Sequence, residues 1–170
     1  ISDISGKMGI NFIKSIGDAF LLFIDGIDIP KMDLFLDFAA ELRNKSIQGI
    51  FDFDDFTADF RCVAHFGNFQ FKLENEKIID VQSVEGIKVF RIEKEADRYE
   101  VVITGQLFEL IKMTLGEKKI NHIPAGKRTI ENFSDQPILL YKLIFPEKDI
   151  SSESLEQKSR MLELECQTIP

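Results

Sequence analysis

The chain is poor in the residues that anchor many metal and redox sites. Of 170 residues none is tryptophan, two are cysteine and two are histidine. Cys62 and Cys166 lie far apart and form neither a CxxC nor a zinc-ligand pattern. Cys62, inside an apolar run, reads as a small core residue. No stretch of about 18 apolar residues is present to span a bilayer, and the N-terminal residues lack a secretory apolar core. A cytoplasmic location with no membrane segment in this chain is the expectation. Basic charge is also short: 21 Lys and Arg face 29 Asp and Glu, a net charge of −8. Such a surface repels a nucleic-acid backbone or an anionic membrane, so neither is expected as a partner. Nucleotide phosphates remain open, provided that divalent cations lie between them and the acidic protein. No internal repeat and no low-complexity segment is found.

What is present describes a globular domain. Hydrophobic residues make up 44 % and charged residues 29 %, with sixteen phenylalanines, and this length carries one domain with a substantial core. NFIKSI and AFLLFI read as strands joined by Gly17-Asp18, a pair that suits a two-residue type II′ turn. IDIPKMDLFLDFAAELRNKS reads as a helix, with Pro30 in its first turn and Phe35, Phe38, Ala39 and Leu42 at helical spacing on the buried side. DFRCVAHFGNFQFKLENEKIIDV reads as one long strand followed by a turn at Glu74-Asn75-Glu76. A short helix is expected over EGIKVFRIEKEAD, a strand at YEVVIT and about two helical turns at QLFELIKM. KRTIENF and PILLYKLIF close the pattern as antiparallel strands. The polar tail, 146–170, carries a capping-box pattern at Ser154–Gln157 that would open a last helix. Strands interleaved with helices give an α+β sandwich, helices packed on a mixed, mainly antiparallel sheet.

Two short stretches carry the chemistry: SDISG at 2–6 and KSIGD at 14–18. Asp3 and Asp18, at a strand end and a turn, are the kind of hard oxygen donor that a pair of Mg²⁺ ions about 4 Å apart requires, but taken singly Asp18 reads as a turn residue and Asp3 carries no signal. Taken singly the other polar residues read as structural. His65, on an apolar strand, reads as a packed or hydrogen-bonded core residue rather than a metal ligand. His122 reads as a loop residue without a role. Asp52, Asp54 and Asp55 read as solvent-facing and lack the Gly and terminal Glu of a calcium loop. Lys14 alone would do no more than snorkel from a strand edge.

In order and spacing these stretches resemble the catalytic domain of class III nucleotide cyclases, the adenylyl and guanylyl cyclase family, over most of Asp3 to Leu143. Asp3-Ile4-Ser5-Gly6 matches its D-I-x-G motif, and Lys14 to Asp18 matches its K-x-x-G-D hairpin. Ala64-His65-Phe66-Gly67 stands for its His-x-Gly element. Asp80 and Arg91 keep the family's spacing of seven residues plus four. The resemblance implies a ferredoxin-like βαββαβ sandwich over 1–145. It also implies conversion of ATP to 3′,5′-cyclic AMP and pyrophosphate by two Mg²⁺ or Mn²⁺ ions. Asp3, the backbone carbonyl of Ile4, and Asp18 would hold the metals. Lys14 and Asp80 would read the adenine edge, whose N1 accepts and whose N6 amino group donates. Arg91 would stabilise the phosphoryl group in the transition state. Base readers and metal ligands come from opposite chains in this family, so a homodimer is implied.

Three positions depart from the family. Ile87 stands where an asparagine orients the ribose, and it can neither donate nor accept a hydrogen bond. Glu131 stands where the closing strand has a phosphate-contacting lysine; Lys127 and Arg128 are nearby cations. Asp3 and Asp18 are only 15 positions apart, whereas the two helices that the family places between them need upward of about 20 residues. A segment missing between Lys7 and Met8 is the reading adopted. Two functions follow: an active cyclase, or a cyclase-like domain that binds nucleotide or dimerises without catalysis. A cyclase acting on another nucleoside triphosphate is a variant of the first.

Overall fold

The computed structural model describes residues 10–16, 19–26, 28–50, 60–116, 120–129 and 137–145. Its centre is β6 (Val101–Thr104), whose four residues are all 0 % exposed. A VVIT run has no polar face to offer water, so it takes an inner place in a sheet covered on both sides. That sheet has the order β3-β6-β8-β7, with β3 (Cys62–Ala64) parallel to β6 and with β8 (Ile138–Leu143) antiparallel to both β6 and β7 (His122–Arg128). Over one face lie α1 (Ile29–Ile47) and α3 (Gly105–Leu115), where Phe35 and Ala39 meet Val101, Ile103, Leu107 and Ile111. Over the other, Ile92 and Ala96 cover Val102 and Leu140. Ile92 ends α2 (Val84–Ile92), which runs on through a 3-10 turn at Glu93–Glu95.

Two hairpins stand beside this sheet. β1 (Asn11–Ile16) pairs with β2 (Ala19–Phe23), and β4 (Phe71–Glu74) pairs with β5 (Lys77–Val81). Phe23 and Phe71, with ring centroids 4.6 Å apart, join one hairpin to the other. Leu22 packs on the Ile10, Phe38 and Leu42 cluster, which ties the first hairpin to α1.

The α+β architecture expected from the sequence is the one observed, and α1 starts as its residues suggest. Asp28 caps it, accepting from the Lys31 N–H at 2.9 Å; Pro30 lies in the first turn, and the predicted stripe is buried. α2 also starts on a cap, the Ser83 hydroxyl accepting from the Gly86 N–H at 3.2 Å. The strand expected over 59–81 is not continuous. It breaks after Ala64 and resumes as the β4–β5 hairpin, whose turn at Asn75 (φ 49°) and Glu76 (φ 64°) lies where the sequence placed it. At the break the His65 side chain bonds Glu85 of α2 and Thr104 of β6. The penultimate strand begins at His122 rather than Lys127. Pro124 and Gly126 (φ 103°), with a register shift between them, made that stretch look like a loop, but an edge strand tolerates both. α3 runs for 11 residues rather than two turns and stops at Gly116 (φ 85°). The Gly17-Asp18 turn type, the Lys7–Met8 junction, Asp52–Asp55, Glu131, Cys166 and the tail helix lie outside the described residues. No helix among the described residues is long and apolar enough to cross a membrane.

Candidate functional site

Lys14 and Asp80 are 66 positions apart in sequence, and the fold brings them together. Lys14 Nζ donates to Asp80 Oδ1 at 2.6 Å. Each strand that supplies them is irregular at that point. Ile13 is an extra residue between the Phe12–Leu22 and Lys14–Leu21 pairs, and Ile79 is extra between Lys72–Asp80 and Leu73–Ile78. A one-residue bulge bends its strand and re-aims the neighbouring side chain. Two such bulges flank one ion pair.

Asp80 also accepts from the Val81 N–H at 2.7 Å. The Lys14 hydrogen bond, and after it that backbone donor, hold the Asp80 carboxyl below its ordinary range. Both side chains remain open to solvent, 35 % exposed for Lys14 and 38 % for Asp80. An exposed ion pair adds little to stability, so a ligand can part it without unfolding anything. Chemically the pair is a donor beside an acceptor, complementary to any planar edge that presents an acceptor beside a donor.

The other predicted site residues are not gathered at this pair. Arg91 is exposed in the last turn of α2 and has no hydrogen bond or ion pair with another described residue. Ile87, one turn earlier on the same helix, is 38 % exposed. Asp3, Ile4 and Asp18 lie outside the described residues. Among the described residues no group of three or more His, Cys, Asp and Glu side chains is placed to hold a metal ion. The donor set that the resemblance implies, two carboxylates and a carbonyl, is a hard-oxygen set of the kind that suits Mg²⁺ or Mn²⁺.

Arg91 and Ile87 depend on where α2 is held, and that is the work of a junction that sequence reasoning missed. The His65 side chain is 1 % exposed and bonds on both sides. Its Nε2 donates to Glu85 Oε2, because a carboxylate only accepts; Nδ1 then accepts from the Thr104 hydroxyl at 2.8 Å. Lys88 Nζ holds the second Glu85 oxygen at 2.8 Å. Burial pushes the His65 pKa down, and the Glu85 carboxylate only partly offsets this, so the ring is neutral. Burial pushes Glu85 upward, but the Lys88 and His65 bonds outweigh it and the net shift is down. The helix comes this close because residue 86 is glycine: a Cβ there would lie 2.7 Å from Val81 Cγ1. His65 was expected to be a bonded core residue, and it is. Glu85 and Thr104 gave no signal, since nothing in their local sequence says that three distant segments meet.

His122 is not a loop residue. It opens β7 and packs on Phe108, 4.4 Å between ring centroids, beside the Phe108–Tyr141 stack. Cys62 lies against the main core, and burial pushes its thiol up to about 12, which keeps it protonated and unreactive.

No protein-family model matches the chain, and no curated protein matches it. Solved structures do. The adenylyl cyclase CyaB from P. aeruginosa matches with a TM-score of 0.62 and 17 % identity, over 88 % of this chain and 79 % of that one. The guanylyl cyclase domain of the RhoGC fusion protein from the aquatic fungus Blastocladiella emersonii, described as a non-canonical dimer, matches at 0.60 and 14 %, over 84 % and 76 %. The guanylate cyclase domain of RhGC from Catenaria anguillulae in complex with GTP matches at 0.56 and 12 %, over 84 % and 76 %. Identities this low speak for architecture, and they agree on it: the chain has the fold of the adenylyl and guanylyl cyclase catalytic domain.

Proposed function

We propose that this domain is a nucleotide cyclase, converting ATP to 3′,5′-cyclic AMP and pyrophosphate as a homodimer with two divalent cations. The observation that carries this reading is the Lys14–Asp80 pair, joined at 2.6 Å from strands 66 positions apart. Its donor and acceptor complement N1 and N6 of adenine, which present the reverse order. Neighbours in fold that include both adenylyl and guanylyl cyclases, one with GTP and one dimeric, support a purine nucleotide substrate and a two-chain assembly.

In the reaction the ribose 3′-oxygen forms a bond to the α-phosphorus. The bond from that phosphorus to the bridging oxygen breaks, pyrophosphate leaves and the 3′-hydroxyl proton is lost. Lys14 and Asp80 orient the base so that the 3′-hydroxyl faces the α-phosphate. Arg91, exposed and cationic on α2, neutralises charge that builds on the phosphoryl oxygens. Asp3, the Ile4 carbonyl and Asp18 would hold the two ions. When bound, such ions acidify a coordinated hydroxyl and screen the triphosphate. The metal carboxylates and the base readers would come from opposite protomers.

A second reading is favoured by Ile87. At 38 % exposure, with Val84 and Phe90 also exposed on α2, it makes this side of the helix apolar where a ribose would need a polar contact. That suits a domain that binds nucleotide or dimerises without turnover. Pyrophosphate release from ATP with Mn²⁺ separates the two. A cyclase releases it, and Asp18→Ala abolishes the release. No release by the wild type at high dimer concentration, or equal release by the variant, would establish the non-catalytic reading.

A further inference from the structure

An open groove of about 460 Å³ lies between the end of α1, the 98–100 turn, the start of β7 and the end of β8, and it shares no residue with the Lys14–Asp80 pair. Three isoleucines from three segments stand at it: Ile47 at 42 % exposure, Ile123 at 50 % and Ile144 at 47 %. Single exposed apolar side chains need no explanation, but several around one concavity mark a surface that something covers. The main chain is fixed up to this place. The Ile144 N–H donates to the Asn121 carbonyl at 2.8 Å, and Phe145 lines the groove while packing against the main core. Phe145 is also the last described residue, so the segment 146–170 sets out from the groove itself.

That segment has the pattern of a partner. From the capping box at Ser154–Gln157 onward, Leu155, Leu162, Cys166 and Ile169 follow one another at 7, 4 and 3 positions, with the small Ser159 in the same row. Helical spacing puts this row on one side, with Glu156, Arg160 and Glu163 away from it. A lone helix of about 15 residues is marginal in water and needs such a row buried. The connection is long enough to allow this: the eight residues 146–153 reach at most roughly 26–29 Å when extended. A tether this short presents the helix to the groove at about millimolar effective concentration, whereas a second copy reaches the same surface only at its bulk concentration. We propose that residues 154–169 form a helix that lies on this groove in the same chain, its Leu155–Leu162–Cys166 row covering Ile47, Ile123 and Ile144. Nothing in this depends on the nucleotide reading.

Amide hydrogen exchange of the whole chain, read by mass spectrometry, tests this. Peptides covering 155–166 should exchange about tenfold or more slowly in the wild type than in Leu162→Glu, which puts a charge into the row. Ile123→Glu and Ile47→Glu, each at an exposed position on the groove, should release the same peptides. Protection of β6, unchanged in both, reports that the domain is folded, and either variant decides alone if the other fails to fold. Leu164→Glu, off the row, should leave the protection in place, and the protection should not depend on protein concentration. Four results would each overturn the proposal: no protection of 155–166 in the wild type, protection lost on dilution and so due to a second copy, protection that persists in a folded groove variant, or equal loss in Leu164→Glu and Leu162→Glu.

Discussion

Two polar contacts in this molecule, the His65–Glu85 hydrogen bond and the Lys14–Asp80 ion pair, join segments distant in sequence, yet they differ in every property that separates scaffold from site. His65 is shut away from water, bonded at both nitrogens and neutral. Lys14 and Asp80 are charged, one-third exposed and seated on bent strands. Burial makes a polar contact costly to break, because the partner left behind loses both its bond and its water. Exposure makes a contact nearly free to break, which is what a ligand needs. The first pair holds α2 in place; the second is available.

Breaking the buried junction should give the largest effect. His65→Leu leaves the Thr104 hydroxyl and one Glu85 oxygen without partners, at about 3 kcal/mol. Differential scanning calorimetry would read this as a melting temperature lower by roughly 6–12 °C for a domain of this size; an unchanged value would show that the junction bears no load. Gly86→Ala attacks the same junction by shape. Its Cβ would meet Val81 at 2.7 Å, which costs about 1–3 kcal/mol in urea midpoint terms, and Val81→Ala in the same chain should restore most of it.

Acid sharpens the contrast. The folded pKa of His65 is below its ordinary 6.5, mainly through burial. Its contribution is therefore complete above 6.5 and is lost as pH falls from there through the lower folded value, with a slope of at most about 1.4 kcal/mol per pH unit. The Asp80 pair, with its carboxyl held below the ordinary 3.8, loses its contribution only in stronger acid. The wild-type urea midpoint should fall between pH 7 and 5, whereas that of His65→Gln should stay flat. The smallest effect on stability should come from Lys14→Glu, whose melting curve should overlay the wild type. On the proposed cyclase reading, the same change should lower the ATP-to-GTP ratio of kcat/KM about tenfold; an unaltered ratio would refute base reading by this residue.

The same contrast explains what could be read from the sequence. Periodicity exposed the α1 stripe, and composition exposed β6 as a strand, because each is local. The Lys14–Asp80 pairing was legible only through spacing that resembles a family; the bulges at Ile13 and Ile79 that aim the two side chains leave no mark in a pattern of alternating residues. The junction was half legible. His65 looked like a core histidine, but its partners Glu85 and Thr104 belong to a helix start and a strand end that only the fold brings together. Pro124 and Gly126 misled for the opposite reason: they are loop residues by preference, kept in a strand by its position at the sheet margin.

That margin has a consequence for how copies of the chain can meet. Among the described residues the four-stranded sheet ends in β3, three residues long, on one side and in β7 on the other. A strand this short offers few free backbone groups. Pro124 has no N–H to give, and the kink at Gly126 turns the remaining ones away from a straight neighbour. Both borders of this sheet are thus poor templates for adding a foreign strand.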